Sequence, residues 1–407
     1  MVADIKLKSP LARGQFEIKQ KFQVITPVFG GGVWIDPNNP HLKEHDQTTP
    51  IRSAALRGQL RFWWRATHGT AQTTLTQMRQ REDIIWGNAS QKGKVSVAVT
   101  QNCTSTRTKR VFEFNKGYLR ALRDEKALAY GAFPLQPSSK AQKESNPQCG
   151  ELSIFDGIAE LKLVGPKEYE ADVRDALDAW LAFGGVGGRT RRGFGAVAGV
   201  DHTPNPQELI ERWSALTPID GVTSLAQSRL ILGNAKPTPD KALKSCLDAL
   251  MTFRQSRTGD GGRGRSKWPE PDAIRKLTGQ ADPRHRPNPA TPKDKFPRGA
   301  FGMPIIFHFK DSKDPDDAQL QPKGKERRAS RLIIRPFTNP QGKHQPMALL
   351  MTAPQTDKED VVLQHAKDQH PVSIDLTPDE AARIRPLEGQ TDVLGRFLTY
   401  FKTQTSR

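Results

Sequence analysis

Cysteine is scarce in this sequence. The 407 residues include three, Cys103, Cys149 and Cys246, which lie far apart and form no CxxC pair. They supply no disulfide framework, so we expect a reducing compartment, the cytoplasm. The nine histidines contain no HExxH motif, and a zinc site is not indicated. No apolar run approaches the ~18 residues of a membrane span and the N-terminal residues lack an apolar segment, so neither a membrane location nor secretion is expected.

Acidic residues are few relative to basic ones. The sequence has 44 Asp and Glu against 62 Lys and Arg, which gives a net charge of +18 at pH 7. This excess of positive charge favours an anionic partner. Apolar residues make up 35% of the chain and prolines number 31, so we expect folded domains together with substantial loops. The length suits two or three domains at ~150 residues each.

Periodic apolar residues predict the elements of an N-terminal domain. Alternation over 16–28 predicts a half-buried strand, and an apolar stripe over 168–183 predicts an amphipathic helix. The other predicted elements are a helix over 51–69 and strands over 94–100, 151–164 and 194–200. This order is that of a ferredoxin-like βαββαβ unit, so we predict an α+β fold whose first domain covers residues 1–205.

A second unit with a similar order of elements is predicted over residues 222–407. Its elements are a strand over 228–232, a helix from Thr238, strands over 303–309, 331–337 and 346–352, and a terminal helix. We therefore predict two tandem ferredoxin-like domains that carry long basic loop insertions. Residues 254–299 lack periodicity and are rich in proline, glycine and arginine, which indicates a mobile insertion.

The segment FGGVGGRTRRGFG, residues 183–195, combines six glycines with three arginines. Glycines allow backbone N–H groups to approach an anion closely, and the arginines add positive charge. Phe194 and Gly195 stand where a Walker motif requires Lys and Ser or Thr, and the spacing does not fit GxGxxG. No nucleotide cofactor is therefore expected. The simpler alternative is a structural glycine-rich turn with solvated arginines.

The predicted helix over 51–69 contains arginines at four-residue spacing and no acidic residue. Arg57, Arg61 and Arg65 share a face that could follow a phosphate backbone, because arginines contact phosphates without reading sequence. Trp64 is a candidate for stacking on a base, whereas the angle of Trp63 favours a place in the core. Nothing nearby in the sequence neutralises these arginines, so we favour a binding role for them.

Three motifs together carry a resemblance to a known family. They are TPVFGGG (26–32), PIRSAALRGQLRFWWRA (50–66) and the glycine-rich segment 183–195. They resemble the RAMP superfamily of CRISPR effector proteins, and within it the family that provides the first subunit of the type III-B Cmr complex. Residues 302–309 and 326–337 resemble the C-terminal half of that family.

This resemblance implies an RNA-binding subunit that does not cut RNA, located at the three-prime end of the guide RNA beside the backbone subunits. The implied partners are guide CRISPR RNA, target RNA and the other subunits of the complex, and neither a cofactor nor a metal is implied. The predicted RNA-binding residues are basic, aromatic or glycine residues of the basic segments: Arg52, Arg57, Arg61, Trp64, Arg65, Lys109, Arg110, Gly187, Gly188, Arg189, Arg191, Arg192 and Phe194.

Two other classes of function remain open from the sequence. Some RAMP relatives process guide RNA, and metal-independent cleavage needs a general base and a cation, which His41, Lys43 and His45 could supply. A metal-dependent nuclease needs clustered carboxylates, and the same loop holds Asp36, Glu44 and Asp46. The last class is a protein scaffold, for which arginine substitutions would leave RNA affinity unchanged.

Overall fold

The computed structural model describes residues 12–30, 33–34, 43–44, 50–101, 105–115, 118–137, 147–259, 264–353 and 360–406. The strands are β1 (Gln15–Val24), β2 (Val33–Trp34), β3 (Lys43–Glu44), β4 (Ser96–Gln101), β5 (Ser105–Lys109), β6 (Phe112–Asn115), β7 (Tyr118–Ala121), β8 (Leu152–Asp156), β9 (Ala159–Pro166), β10 (Val197–Gly199), β11 (Ser224–Leu232), β12 (Ile305–Phe307), β13 (Ala318–Pro322), β14 (Leu332–Thr338), β15 (His344–Thr352), β16 (Val361–His365) and β17 (Asp368–Val372). The helices are α1 (Ser53–Trp64), α2 (Leu75–Trp86), α3 (Lys126–Gly131), α4 (Glu170–Phe183), α5 (Pro206–Trp213), α6 (Pro239–Arg254), α7 (Glu270–Thr278), α8 (Pro378–Arg383) and α9 (Val393–Thr405). The predicted α+β class is confirmed.

The first sheet is antiparallel, with the strand order β10-β1-β9-β4. Alternate residues of β1 are buried, Phe16, Ile18 and Phe22 among them, as the period-two pattern predicted. The ring of Phe22 meets Trp180 of α4 edge-on, at 5.1 Å between centroids. Together with α1 and α4, the four strands follow one another along the chain in βαββαβ order.

The strands of the C-terminal half divide between two sheets. The first has three strands in the order β11-β15-β14, and helices α6 and α9 accompany it. This is the order of a βαββαβ sheet without its fourth strand within the described residues, so the prediction of two complete tandem ferredoxin-like domains is not confirmed. The second sheet is an antiparallel arrangement with the order β12-β13-β16-β17.

The segment 254–299 differs from the prediction of an insertion without regular structure. It contains α7, and its apolar side chains Trp268, Ile274 and Phe296 are buried. Arg275 of α7 holds Asp314 through two hydrogen bonds of 2.9 and 2.8 Å. The high content of proline and glycine obscured these widely spaced core residues. Ile274 and Phe296 contribute to a hydrophobic cluster under the second sheet of this half, and Trp268 to the cluster that includes α6 and α9.

The two halves of the chain share their cores. One hydrophobic cluster combines β1, α1 and α4 with Ile333, Met347 and Leu349 of the three-stranded sheet. A second combines Phe194 and Leu128 with α6 and α9. Among the helices in the described ranges, none is long and apolar enough to cross a membrane.

Candidate nucleic-acid interface

A groove of about 300 Å³ lies between the N-terminal half of α1 and the glycine-rich segment. Its floor is apolar, because the buried side chains of Val28, Ile51 and Val186 line it. Gly187 and Gly188 form one wall and α1 the other. The volume is at the lower end of the ~300–1,000 Å³ usual for small-ligand sites. We call this space the α1 groove.

The helix end at the α1 groove favours negative charge. Arg52 is the N-cap of α1, no side chain caps the helix, and its first turn contains no acidic residue. The hydroxyl of Ser53, the first residue of the helix, accepts a hydrogen bond of 3.1 Å from the Val99 N–H of β4. Arg52 lines the groove and is exposed, as is Arg57 one turn further along. The helix dipole and these two guanidinium groups together attract an anion.

Arg61 and Arg65 belong to a different environment. Arg61 donates to Glu82 of α2 at 2.8 Å and to the Gly87 carbonyl at 2.9 Å, and Arg65 lies 3.7 Å from Glu82. The Glu82 side chain is buried, so the pairing satisfies a carboxylate that would otherwise be costly to bury. The assumption that nothing neutralises these arginines is therefore wrong, because their partner lies on the next helix.

Trp64 offers no surface for stacking on a base. Its ring is completely buried, and its Nε1 donates to Asp172 of α4 at 2.9 Å. Arg81 donates two further hydrogen bonds to the same carboxylate, at 3.0 and 2.9 Å. Burial alone would raise the pKa of Asp172, but the hydrogen bonds from Arg81 and Trp64 outweigh it and lower that pKa. The predicted stacking role of Trp64 is wrong, because α1 is covered by both the sheet and α4.

We expect Asp172→Asn to lower the free energy of unfolding by about 1–3 kcal/mol at pH 7, because it removes the negative charge that pairs with Arg81 and replaces Oδ2, which accepts from Arg81, with an NH2 group. The folded-state pKa of Asp172 lies below its unfolded value, so its contribution is present above the unfolded pKa and is lost as the pH falls through the folded pKa. Urea unfolding at pH 7 and near pH 2 measures the loss of unfolding free energy and its dependence on pH. The exposed Asp124→Asn is the control; an equal loss at both pH values contradicts the assignment.

The glycine-rich segment uses its backbone to hold itself in place. The amide of Gly188 donates to the Phe29 carbonyl at 2.7 Å, and that of Gly195 donates to the Pro27 carbonyl at 2.8 Å. Gly193 has φ +82°, and a Cβ there would meet Leu243 of α6 at 2.6 Å. Phe194 is completely buried in the core shared with α6. These two amides and Phe194 already have partners within the protein. For the backbone of this segment, the simpler alternative of a structural glycine-rich turn therefore fits better than an anion-binding loop.

The three arginines of this segment point toward the protein. They donate to backbone carbonyls: Arg189 to Gly131 at 2.8 Å, Arg192 to Phe301 at 3.0 Å, and Arg191 to Ser330. Burial lowers the pKa of all three, and that of Arg192 falls to about 10. Arg189 is nevertheless exposed as a residue, whereas Arg191 and Arg192 are half-buried.

Lys109 and Arg110 are both engaged in ion pairs. Lys109 lies 3.1 Å from Glu125 and 3.1 Å from Asp240, which draws it to the first turn of α6. Arg110 pairs with Glu151 at 2.9 Å, but its side chain remains 77% exposed. Exposed ion pairs contribute little free energy, so Arg110 is available to a phosphate at small cost.

The residues invoked for a nuclease are not tested by the structure. His41, His45, Asp36 and Asp46 lie outside the described residues, and Lys43–Glu44 is the short strand β3.

One group of possible metal ligands occurs within the described residues, formed by His285, Asp311 and Asp314. Arginine side chains already provide the positive charge that would neutralise its two carboxylates. Arg275 binds Asp314 and Arg284 lies 2.7 Å from Asp311. Hydrogen bonds from Arg275 lower the pKa of Asp314 strongly. The group is therefore an ion-pair network between the segment after α7 and the loop before β13.

The fold and this surface define an α+β protein with a βαββαβ-ordered sheet and a basic groove beside it. Residues 21–198 match the family model of the RAMP superfamily, the family that the motifs of this segment resemble. The match includes the end of β1, the whole of α1 and the glycine-rich segment. No curated protein matches the sequence.

Solved structures of Cmr proteins contain a similar chain. Cmr1 from Pyrococcus furiosus, in its apo form, is 14% identical with a TM-score of 0.45, covering 91% of this chain and 96% of that one. A chain of the type III-B Cmr-beta complex bound to cognate target RNA is 14% identical with a TM-score of 0.45, covering 95% and 99%. Cmr6 from Pyrococcus furiosus is 11% identical with a TM-score of 0.23, covering 46% and 99%.

Proposed function

We propose that this protein is a non-catalytic RNA-binding subunit of a type III-B CRISPR effector complex, in which it holds the three-prime end of the guide RNA and helps to capture target RNA. The α1 groove is the observation that carries the proposal. It combines the uncapped N-terminus of α1, the exposed Arg52 and the wall formed by Gly187 and Gly188, and the exposed Arg57 follows further along α1. All of these features lie within the segment that matches the RAMP superfamily.

Different parts of this groove suit the phosphate and the base of a nucleotide. Arg52, Arg57 and the helix N-terminus suit a phosphate, whereas the apolar floor and the half-buried ring of Phe155 suit one base. Recognition is then largely independent of sequence, because phosphate contacts carry no base information. This suits a subunit that must accept any guide spacer. Phe155 was not predicted from the sequence, since a lone aromatic residue in a strand is ordinarily core.

The test uses purified protein and a labelled single-stranded guide RNA, without and with Mg²⁺. Each sample is divided between a native gel and a denaturing gel. We expect RNA that is shifted on the native gel and intact on the denaturing gel under both conditions. Cleavage without metal would favour the nuclease hypothesis and direct substitution to His41 and His45, whereas cleavage only with Mg²⁺ would direct it to Asp36 and Asp46. RNA that is neither shifted nor cut would favour the scaffold.

A further inference from the structure

Three guanidinium groups, two from the glycine-rich segment and one from the end of α6, converge beside α3. Arg254, the last residue of α6, donates to the Tyr130 hydroxyl at 2.8 Å. Arg189 donates to the carbonyl of the next residue, Gly131, at 2.8 Å. Arg192 donates to the Phe301 carbonyl, and the guanidinium of Arg254 lies over the Phe301 ring at 5.3 Å. The contacts with Tyr130–Gly131 and with Phe301 therefore hold the three groups close together.

Among the residues that the structure describes, no carboxylate balances this charge. In the described ranges of the chain, no salt bridge joins Arg189, Arg192 or Arg254 to an acidic residue. Nη1 of Arg192 and Nε of Arg254 are buried without a hydrogen-bond partner. After burial, the guanidinium of Arg254 is the largest cause of the lowered pKa of Arg192. Arginine does not give up its proton in proteins, so the repulsion persists in the folded state.

The cluster is built to stay in this arrangement. Arg189 has φ +54°, a left-handed conformation that is unfavourable for a residue other than glycine and that points to a functional constraint. Its guanidinium lies over the Phe29 ring at 5.3 Å. The Tyr130 hydroxyl accepts from Arg254 and still has its own hydrogen to donate.

We propose that Arg189, Arg192, Arg254 and Tyr130 form a site for one phosphate group, and that its occupant is a backbone phosphate of the bound RNA. The inference rests on the proposed function and extends the interface beyond the α1 groove. Arg189 is exposed and opens the site to solvent, Arg254 and Tyr130 have donors that no protein group in the described ranges accepts, and the half-buried Arg192 adds charge beside them. Planar guanidinium groups match phosphate geometry well.

The first test compares Arg254→Gln with Arg257→Gln. Arg257 is an exposed arginine three residues further along, so the control removes the same charge outside the cluster. For labelled single-stranded RNA we expect about tenfold weaker binding by Arg254→Gln, and a slope of log K against log salt that is smaller by ~0.7. Tyr130→Phe, which removes only the hydroxyl, should weaken binding in the same direction. Equal affinities for the wild type and Arg254→Gln would overturn the inference.

The second test separates RNA from a free anion. We expect inorganic phosphate to raise the Tm of the wild type relative to chloride at equal ionic strength, and not that of Arg254→Gln. Stabilisation by phosphate without any effect of Arg254→Gln on RNA affinity would mean that the cluster binds free phosphate, contrary to the proposal. Loss of RNA binding in Arg52→Ala/Arg57→Ala but not in Arg254→Gln would overturn this site and leave the proposed function intact. Unchanged affinity in both variants would overturn both.

Discussion

Arg52→Ala/Arg57→Ala is expected to weaken the binding of single-stranded RNA about 100-fold, because each substitution removes a charge-assisted contact of about 1.5 kcal/mol. The slope of log K against log salt should fall by ~1.4, the value for two phosphate contacts on a single strand. Both side chains are exposed at the N-terminal end of α1, so the fold should not change. Fluorescence anisotropy over a series of salt concentrations measures affinity and slope together.

The matched comparison is Arg61→Ala/Arg65→Ala, which removes the same charge from the same helix. These side chains pair with the buried Glu82, so we expect their loss to lower stability and to leave the RNA affinity of the folded protein within about threefold of the wild type. Arg174→Ala, an exposed arginine that pairs with Glu170 on α4, controls for net charge alone. Equal effects of the two double variants would mean that the whole arginine stripe contacts RNA, and would contradict the division made by the structure.

The elements that local periodicity defines could be predicted from the sequence. The alternation in β1 and the apolar stripes of α1 and α4 reflect burial against one neighbouring layer, so each appears in a single segment of the chain. Trp64 lies on the buried side of α1 with Leu56, Leu60 and Trp63. Its role was mistaken because the partner that buries its polar edge, Asp172, lies 108 residues away.

The candidate site could be predicted only in part, for a related reason. Composition identified the basic segments, but whether a guanidinium is free depends on residues distant in sequence. Glu82 is separated from Arg61 by 21 residues, and Tyr130 from Arg254 by 124. The glycines of 183–195 indicated a close approach of backbone, and within the fold Val28, Phe29 and residues of the C-terminal half approach them closely. Glycine and arginine content alone does not distinguish protein from RNA as the partner of such a segment.

Arg335 of β14 is the strongest example of a basic residue whose environment the sequence does not reveal. It lies in a basic run and yet is completely buried. Its guanidinium donates to the carbonyls of Leu181, Gly184 and Val197 in the first half of the chain, and its Nε donates to Pro336 at 2.8 Å. It thus joins the end of α4 and strand β10 to the three-stranded sheet. Burial lowers its pKa to about 9, so the charge is retained at neutral pH.

We expect Arg335→Met to lower the free energy of unfolding by about 3–5 kcal/mol, because methionine fills part of the volume but leaves the carbonyl groups between the two halves without a donor. Arg335→Lys keeps the charge with a single donor group and should lie between methionine and the wild type. Urea unfolding followed by circular dichroism gives both values. Arg327→Ala, an exposed position in the same basic run, is the control and should stay within about 0.5 kcal/mol of the wild type.

RNA binding by the folded fraction distinguishes this structural role from a direct one. Arg335 is 0% exposed, so its substitution should reduce the amount of active protein and not the affinity of that protein for RNA. Titration at concentrations well above Kd measures the active fraction, and titration below Kd measures the affinity. If Arg335→Met unfolds at the wild-type urea concentration, the two halves are held together by their shared apolar cores alone. If it remains stable but binds RNA more weakly, the buried guanidinium acts on the interface through its charge.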